Sequence, residues 1–100
     1  MLVEVDLNMP QIFRIGGYCI YFWAKEGLPL EPVHVHVAEG KPQANGTKIW
    51  ITQSGSCILE NNHSKIPAHT LREIMEIIAA TSDIIIAQWM DMFGEATFYC

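Results

Sequence analysis

The sequence predicts an α+β fold: a four- to five-stranded antiparallel meander followed by two C-terminal helices packed on one face. Three observations carry that expectation. Apolar residues recur with a period of two up to about residue 60 and with helical spacing beyond it. Gly16-Gly17, Asn45-Gly46 and Ser54-Gly55-Ser56 interrupt the first part at the short intervals of hairpins. Strands followed by helices, within 100 residues, fit one antiparallel sheet with helices on one side.

The elements follow in order. Leu2 to Leu7 alternates, with Val3, Val5 and Leu7 opposite Glu4 and Asp6, and residues 1–8 are expected to add an edge strand or an arm. Gln11 to Ile15 and the aromatic, β-branched run Tyr18 to Trp23 are expected to pair across the Gly16-Gly17 turn. Ala24 to Pro32 is a loop punctuated by Gly27, Pro29 and Pro32. Val33 to Ala38 reads as the third strand, Thr47 to Thr52 as the fourth and Cys57 to Glu60 as the last.

Pro67 suits the first turn of a helix, where its missing N–H is harmless. Leu71, Ile74, Met75 and Ile78 keep i, i+3, i+4, i+7 spacing, with Arg72 and Glu76 an i, i+4 pair on the other side. Thr81 or Ser82 is positioned to cap a second helix with Asp83 in its first turn. Ile86, Trp89, Met90 and Phe93 carry the second apolar stripe, and Gly94 is the expected stop. The expected core is Ile12, Ile20 or Tyr21, Val35, Ile49, Ile51, Leu59, Ile74, Ile78, Trp89 and Phe93. Residues 1–100 are read as a single domain, with 95–100 a tail.

Composition narrows the function classes. The formal charge is -5, with only six Lys and Arg, and these are scattered along the chain. That is not the electrostatic footprint of a nucleic-acid binder. Cys19, Cys57 and Cys100 are odd in number and contain no CxxC pair, so free thiols in a reducing, cytoplasmic compartment are expected, with Cys19 and Cys57 acting as small buried hydrophobes. No apolar run reaches the ~18 residues of a membrane span. Glu4 and Asp6 lie where a secretory signal needs positive charge. No Walker loop, Gly-x-Gly-x-x-Gly or Gly-x-Ser-x-Gly elbow occurs.

The chemically suggestive motif is Pro32-Val33-His34-Val35-His36-Val37. Alternation along a strand places His34 and His36 on one face, about 7 Å apart, and the valines on the other. With Met9-Pro10-Gln11-Ile12, Arg14-Ile15-Gly16, Tyr21-Phe22-Trp23, Ala44, Lys48, Trp50, Leu59, Asn62, Leu71-Arg72-Glu73-Ile74, Trp89 and Phe93-Gly94, the chain resembles the bacterial domain-of-unknown-function family 4160 over about residues 9 to 94. The resemblance implies a two-gene arrangement like a toxin–antitoxin module. Leu2 to Asn8 and the tail Glu95 to Cys100 extend beyond the family's usual limits.

Three readings of the two histidines stay open. Neutral imidazoles are common ligands of zinc and its neighbours, so His34 and His36 are candidate metal ligands. A catalytic zinc normally has three protein ligands, and His63, Glu39 and Glu60 are all candidates for the third. Alternatively, Lys48 on the adjacent strand would complete a His, His, Lys cluster, joined by Arg14, able to hold an anion or run acid–base chemistry as a hydrolase or ribonuclease. The third reading is structural: histidines bonded to their neighbours. Trp50 and Trp23 are expected to point away from the valines, and an exposed Trp50 would mark a recognition surface. Trp89 is expected in the core, His69 exposed in the first helical turn, and His63 in a loop. The expected partner is a protein or a second copy of the chain, without nucleic acid or membrane.

Overall fold

The computed structural model describes residues 11–24 and 29–100, apart from the Gln11 side chain. The expected strand in residues 2–7 lies outside them. Five strands, β1 (Gln11–Ile15), β2 (Tyr18–Tyr21), β3 (His34–Glu39), β4 (Thr47–Ile51) and β5 (Cys57–Asn61), precede α1 (Ala68–Ala80) and α2 (Ser82–Phe93). The sheet runs β1-β2-β3-β4-β5 and every pair is antiparallel. The α+β meander with two closing helices is therefore the observed fold.

Both outer strands carry one extra residue. Gln11 and Phe13 pair with Tyr21 and Ile20, which leaves Ile12 over; Lys48 and Ile49 pair with Asn61 and Leu59, which leaves Glu60 over. Such bulges bend an edge and spoil it as a template for further pairing.

One face of the sheet meets the helices. Ile20, Phe22, Val33, Val35, Val37, Ile49 and Ile51 form a continuous core with Ile66, Leu71, Ile74, Ile78, Ile85 and Trp89. Alternation accounts for the strand residues, and 3.6-residue spacing for Leu71, Ile74 and Ile78. Phe22, Trp89 and Phe93 pack as tilted rings with centroids 4.6 to 5.8 Å apart, a preferred arrangement for aromatic quadrupoles.

Several expectations need correction. Leu59 is not core: it is 38 % exposed, because β5 is an edge strand that α1 only partly covers. Met90 is also exposed, and Ile85 takes the buried place beside Trp89, so the α2 stripe is rotated by one residue. Ile12 and Phe93 are half-buried against the core rather than within it. Cys57 is half-buried rather than buried, while Cys19 is buried as expected. Pro67 precedes the helix as its N-cap, with ψ 142°, so the first turn begins at Ala68. Neither hydroxyl caps α2; Thr81 Oγ1 donates backward to Ile77 O at 2.8 Å. The exposed i, i+4 contact on α1 joins His69 Nε2 to Glu73 Oε1 at 2.9 Å. Gly94 ends α2 in the left-handed conformation, φ 76°, as expected.

The opposite face of the sheet is not left to solvent. Cys19, Tyr21 and Ala38 form a second buried cluster there, flanked by Trp23. The β3–β4 connection folds over it: Tyr21 Oη donates to Gln43 O at 2.5 Å and accepts from Gln43 N at 3.0 Å. Gly46 passes so close that a Cβ there would collide with the Tyr21 hydroxyl. After Gly94 the chain returns across the end of the sheet where β3 begins and β4 ends. Val33 N–H donates to Thr97 O at 2.9 Å, and Gln53 N–H to Cys100 O at 3.0 Å.

Candidate functional site: a buried imidazole and aromatic face

His34 and His36 do share one face, opposite the valines, because β3 is regular through both. Register then decides their neighbours. His36 lies between Tyr21 and Lys48, and His34 lies opposite Trp50. The two imidazoles meet edge to face with centroids 5.0 Å apart. Tyr21 stacks on His36 at 5.5 Å, and Trp50 and Trp89 approach His34 at 5.5 and 5.3 Å.

Both histidines are buried, His34 completely and His36 to 8 % exposure. His34 Nδ1 is 2.9 Å from Pro32 O. A carbonyl only accepts, so Nδ1 is the donor of this bond. That is how a protein orients an imidazole to ligate a metal through Nε2. Among the described residues, however, no group of three His, Cys, Asp or Glu is arranged to hold a metal ion. Glu39 and His63 are exposed. Glu60 Oε1 accepts instead from Trp50 Nε1 at 2.8 Å.

Lys48 is directly opposite His36, where the expected cluster needs it. Its ammonium turns elsewhere: Nζ lies 2.7 Å from Glu31 Oε1 and 4.4 Å from the centre of the Trp50 ring. A cation already held by a carboxylate and an aromatic face offers an incoming anion little. Arg14 does not join it. It is exposed on β1 in the row through Cys19 and Ala38, next to the row that holds His36. Its charge acts on Cys19, where it partly offsets the burial that pushes that thiol above its usual pKa. Trp50 points away from the valines as expected but is only 7 % exposed, since Tyr99 lies parallel to it, 7° between planes and 5.0 Å between centroids.

Glu31 and Tyr99 were not singled out from the sequence, whereas Tyr21 was expected only as core and Glu60 only as a candidate metal ligand, not as the partners of His36 and Trp50. The apolar end of the tail, Phe98-Tyr99, was a signal that the segment had something to cover. Glu31 carried none, since a carboxylate before Pro32 reads as loop.

A five-stranded antiparallel meander with a closing helix pair, and a His-x-His strand set among aromatic rings, defines a small α+β protein whose second sheet face is built rather than bare. The family model described as Domain of unknown function (DUF4160) matches residues 17–90. The chain belongs to that family. No curated protein and no solved structure matches it. No helix among the described residues is long and apolar enough to cross a membrane.

Proposed function

We propose that the protein is an interaction module of a bacterial, toxin–antitoxin-like two-gene unit, binding the product of the adjacent gene or a second copy of itself in the cytoplasm. One observation carries this reading: the chemistry-bearing side chains of β3 and β4 are enclosed or ion-paired, while apolar side chains of β5 stay exposed. His34, His36 and Lys48 are enclosed or ion-paired. Ile58 and Leu59 are exposed on the outermost strand. Beside them Cys57, Leu71 and Met75 line a mainly apolar trough of about 480 Å³. Exposed apolar surface of this kind marks contact with another macromolecule. The family resemblance supports the gene pairing, and the three free cysteines fit a reducing compartment.

The test is co-expression with the adjacent gene, followed by affinity purification and a mass measurement in solution. A stoichiometric complex, weakened by Leu59→Glu, is expected. A chain that elutes alone and monomeric overturns the reading.

A second reading, a hydrolase or ribonuclease centred on His34, His36 and Lys48 and using zinc or a similar divalent ion, is favoured by one observation, the cross-strand placement of Lys48 against His36. Metal analysis of the purified protein and assays of RNA cleavage or growth inhibition with His34→Ala and His36→Ala test it. Activity that survives both substitutions ends it.

A further inference from the structure

The segment after α2 is bound to the rest of the molecule much as a peptide is bound to a receptor. The left-handed Gly94 breaks the helix and redirects the chain. Thr97 then accepts from Val33 N–H, and Cys100 accepts from Gln53 N–H. Tyr99 lays its ring flat on Trp50. Ala96 and Phe98 rest half-buried against the main core. Tyr99 itself remains 58 % exposed, while Trp50 beneath it is 7 % exposed. The tail thus gives the sheet more cover than it receives, and the strip it occupies is fully defined: two backbone donors and one flat indole.

We propose that Glu95–Cys100 is a displaceable strap, and that the strip beneath it docks an extended segment of a partner protein that carries an aromatic side chain. The proposal rests on the interaction-module reading and adds to the β5 surface a second place of binding, with its chemistry. The incoming segment offers carbonyls to Val33 and Gln53 and stacks an aromatic ring on Trp50 in place of Tyr99. Main-chain bonds supply affinity and the aromatic pocket supplies selectivity. Charge favours a neutral or basic segment. Glu60 sits on the Trp50 indole nitrogen, Lys48 is neutralised by Glu31, and the chain as a whole carries -5. Because the strap competes in cis at high effective concentration, the strip is closed until a partner supplies a better ring.

The experiment uses the full chain and a synthetic fluorescent peptide copying residues 94–100 with Cys100→Ser. Tyr99→Ala is expected to bind this peptide at least about tenfold more tightly than the unaltered chain, because the internal competitor is weakened. The same peptide carrying Tyr99→Ser is expected to bind neither. In the unaltered chain, the amides of Val33 and Gln53 are expected to exchange with deuterium at least about tenfold faster than that of Ile51, which bonds to Val33 O inside the sheet. Equal peptide binding by both chains, no binding by Tyr99→Ala, or exchange at Val33 and Gln53 as slow as at Ile51 overturns the proposal. The exchange measurement stands even if Tyr99→Ala does not fold. Neither measurement contains the adjacent gene's product, so failure here is distinct from failure to co-purify.

Discussion

Lys48 Nζ lies 2.7 Å from Glu31 Oε1 and 4.4 Å from the centre of the Trp50 ring. A partly covered ion pair that also touches an aromatic face is worth more than an exposed one, yet only about 1 kcal/mol. Lys48→Met, which keeps the stem, is expected to lower stability by roughly that amount in urea unfolding. Lys48→Glu, which sets two carboxylates together, is expected to lose about twice as much. If Lys48→Met leaves stability unchanged, the pair is incidental.

Gly46 answers to Tyr21. A Cβ at position 46 would collide with the Tyr21 hydroxyl and press on the His36 side chain at 3.3 Å. Gly46→Ala is expected to destabilise by about 2–3 kcal/mol, the range for overpacking a closed site. Tyr21→Phe alone loses the two bonds with Gln43. Combined with Gly46→Ala it removes the colliding atom, so the double variant is expected to be less destabilised than the sum of the singles. Strict additivity would refute the steric account.

Ile78 and Leu59 look alike in sequence and differ in cover. Ile78 is fully buried and Leu59 is 38 % exposed. Ile78→Ala is expected to lose about 2–5 kcal/mol and Leu59→Ala less than about 1 kcal/mol in the isolated chain. Thermal unfolding of both variants makes the comparison. A large loss at Leu59 without a partner would mean that β5 is covered after all.

Burial raises the pKa of both Cys19 and Cys57 above the ordinary thiol value of 9.0. The folded state therefore holds these protons more tightly than the unfolded one. Their contribution to stability is complete below pH 9 and falls as pH rises through the elevated values. Unfolding midpoints measured from pH 8 to 10.5 are expected to decline, and Cys19→Ala with Cys57→Ala to flatten that decline. At neutral pH the exposed Cys100 is expected to react first with a thiol reagent, as the thiolate is the nucleophile. Faster labelling at Cys57 would contradict the assignment.

Much of the architecture was legible because it rests on periodicity. β1 was read at its observed limits, and the change of period after β5, the break at Thr81 and the stop at Gly94 all follow from side-chain spacing and backbone chemistry. The shared face of His34 and His36 follows from the same alternation, and the meander order sets Lys48 opposite His36. What the sequence could not disclose is cover. Leu59 and Ile49 alternate alike, but only the strand between two others is roofed by the helices. The Gln43–Gly46 connection and the Tyr99 tail enclose the histidine face, and both are long-range events that no local pattern records. The ammonium of Lys48 was placed correctly at the backbone and misread at its tip, because its partner Glu31 comes from a loop.

The sheet's spatial order is the same as its order along the chain. Each strand finds its mate immediately upstream, so every closure spans only a short stretch of polypeptide, and zippering can advance hairpin by hairpin. The slow step in reaching the native state should then be the distant one, the seating of the helical pair on a ribbon already assembled.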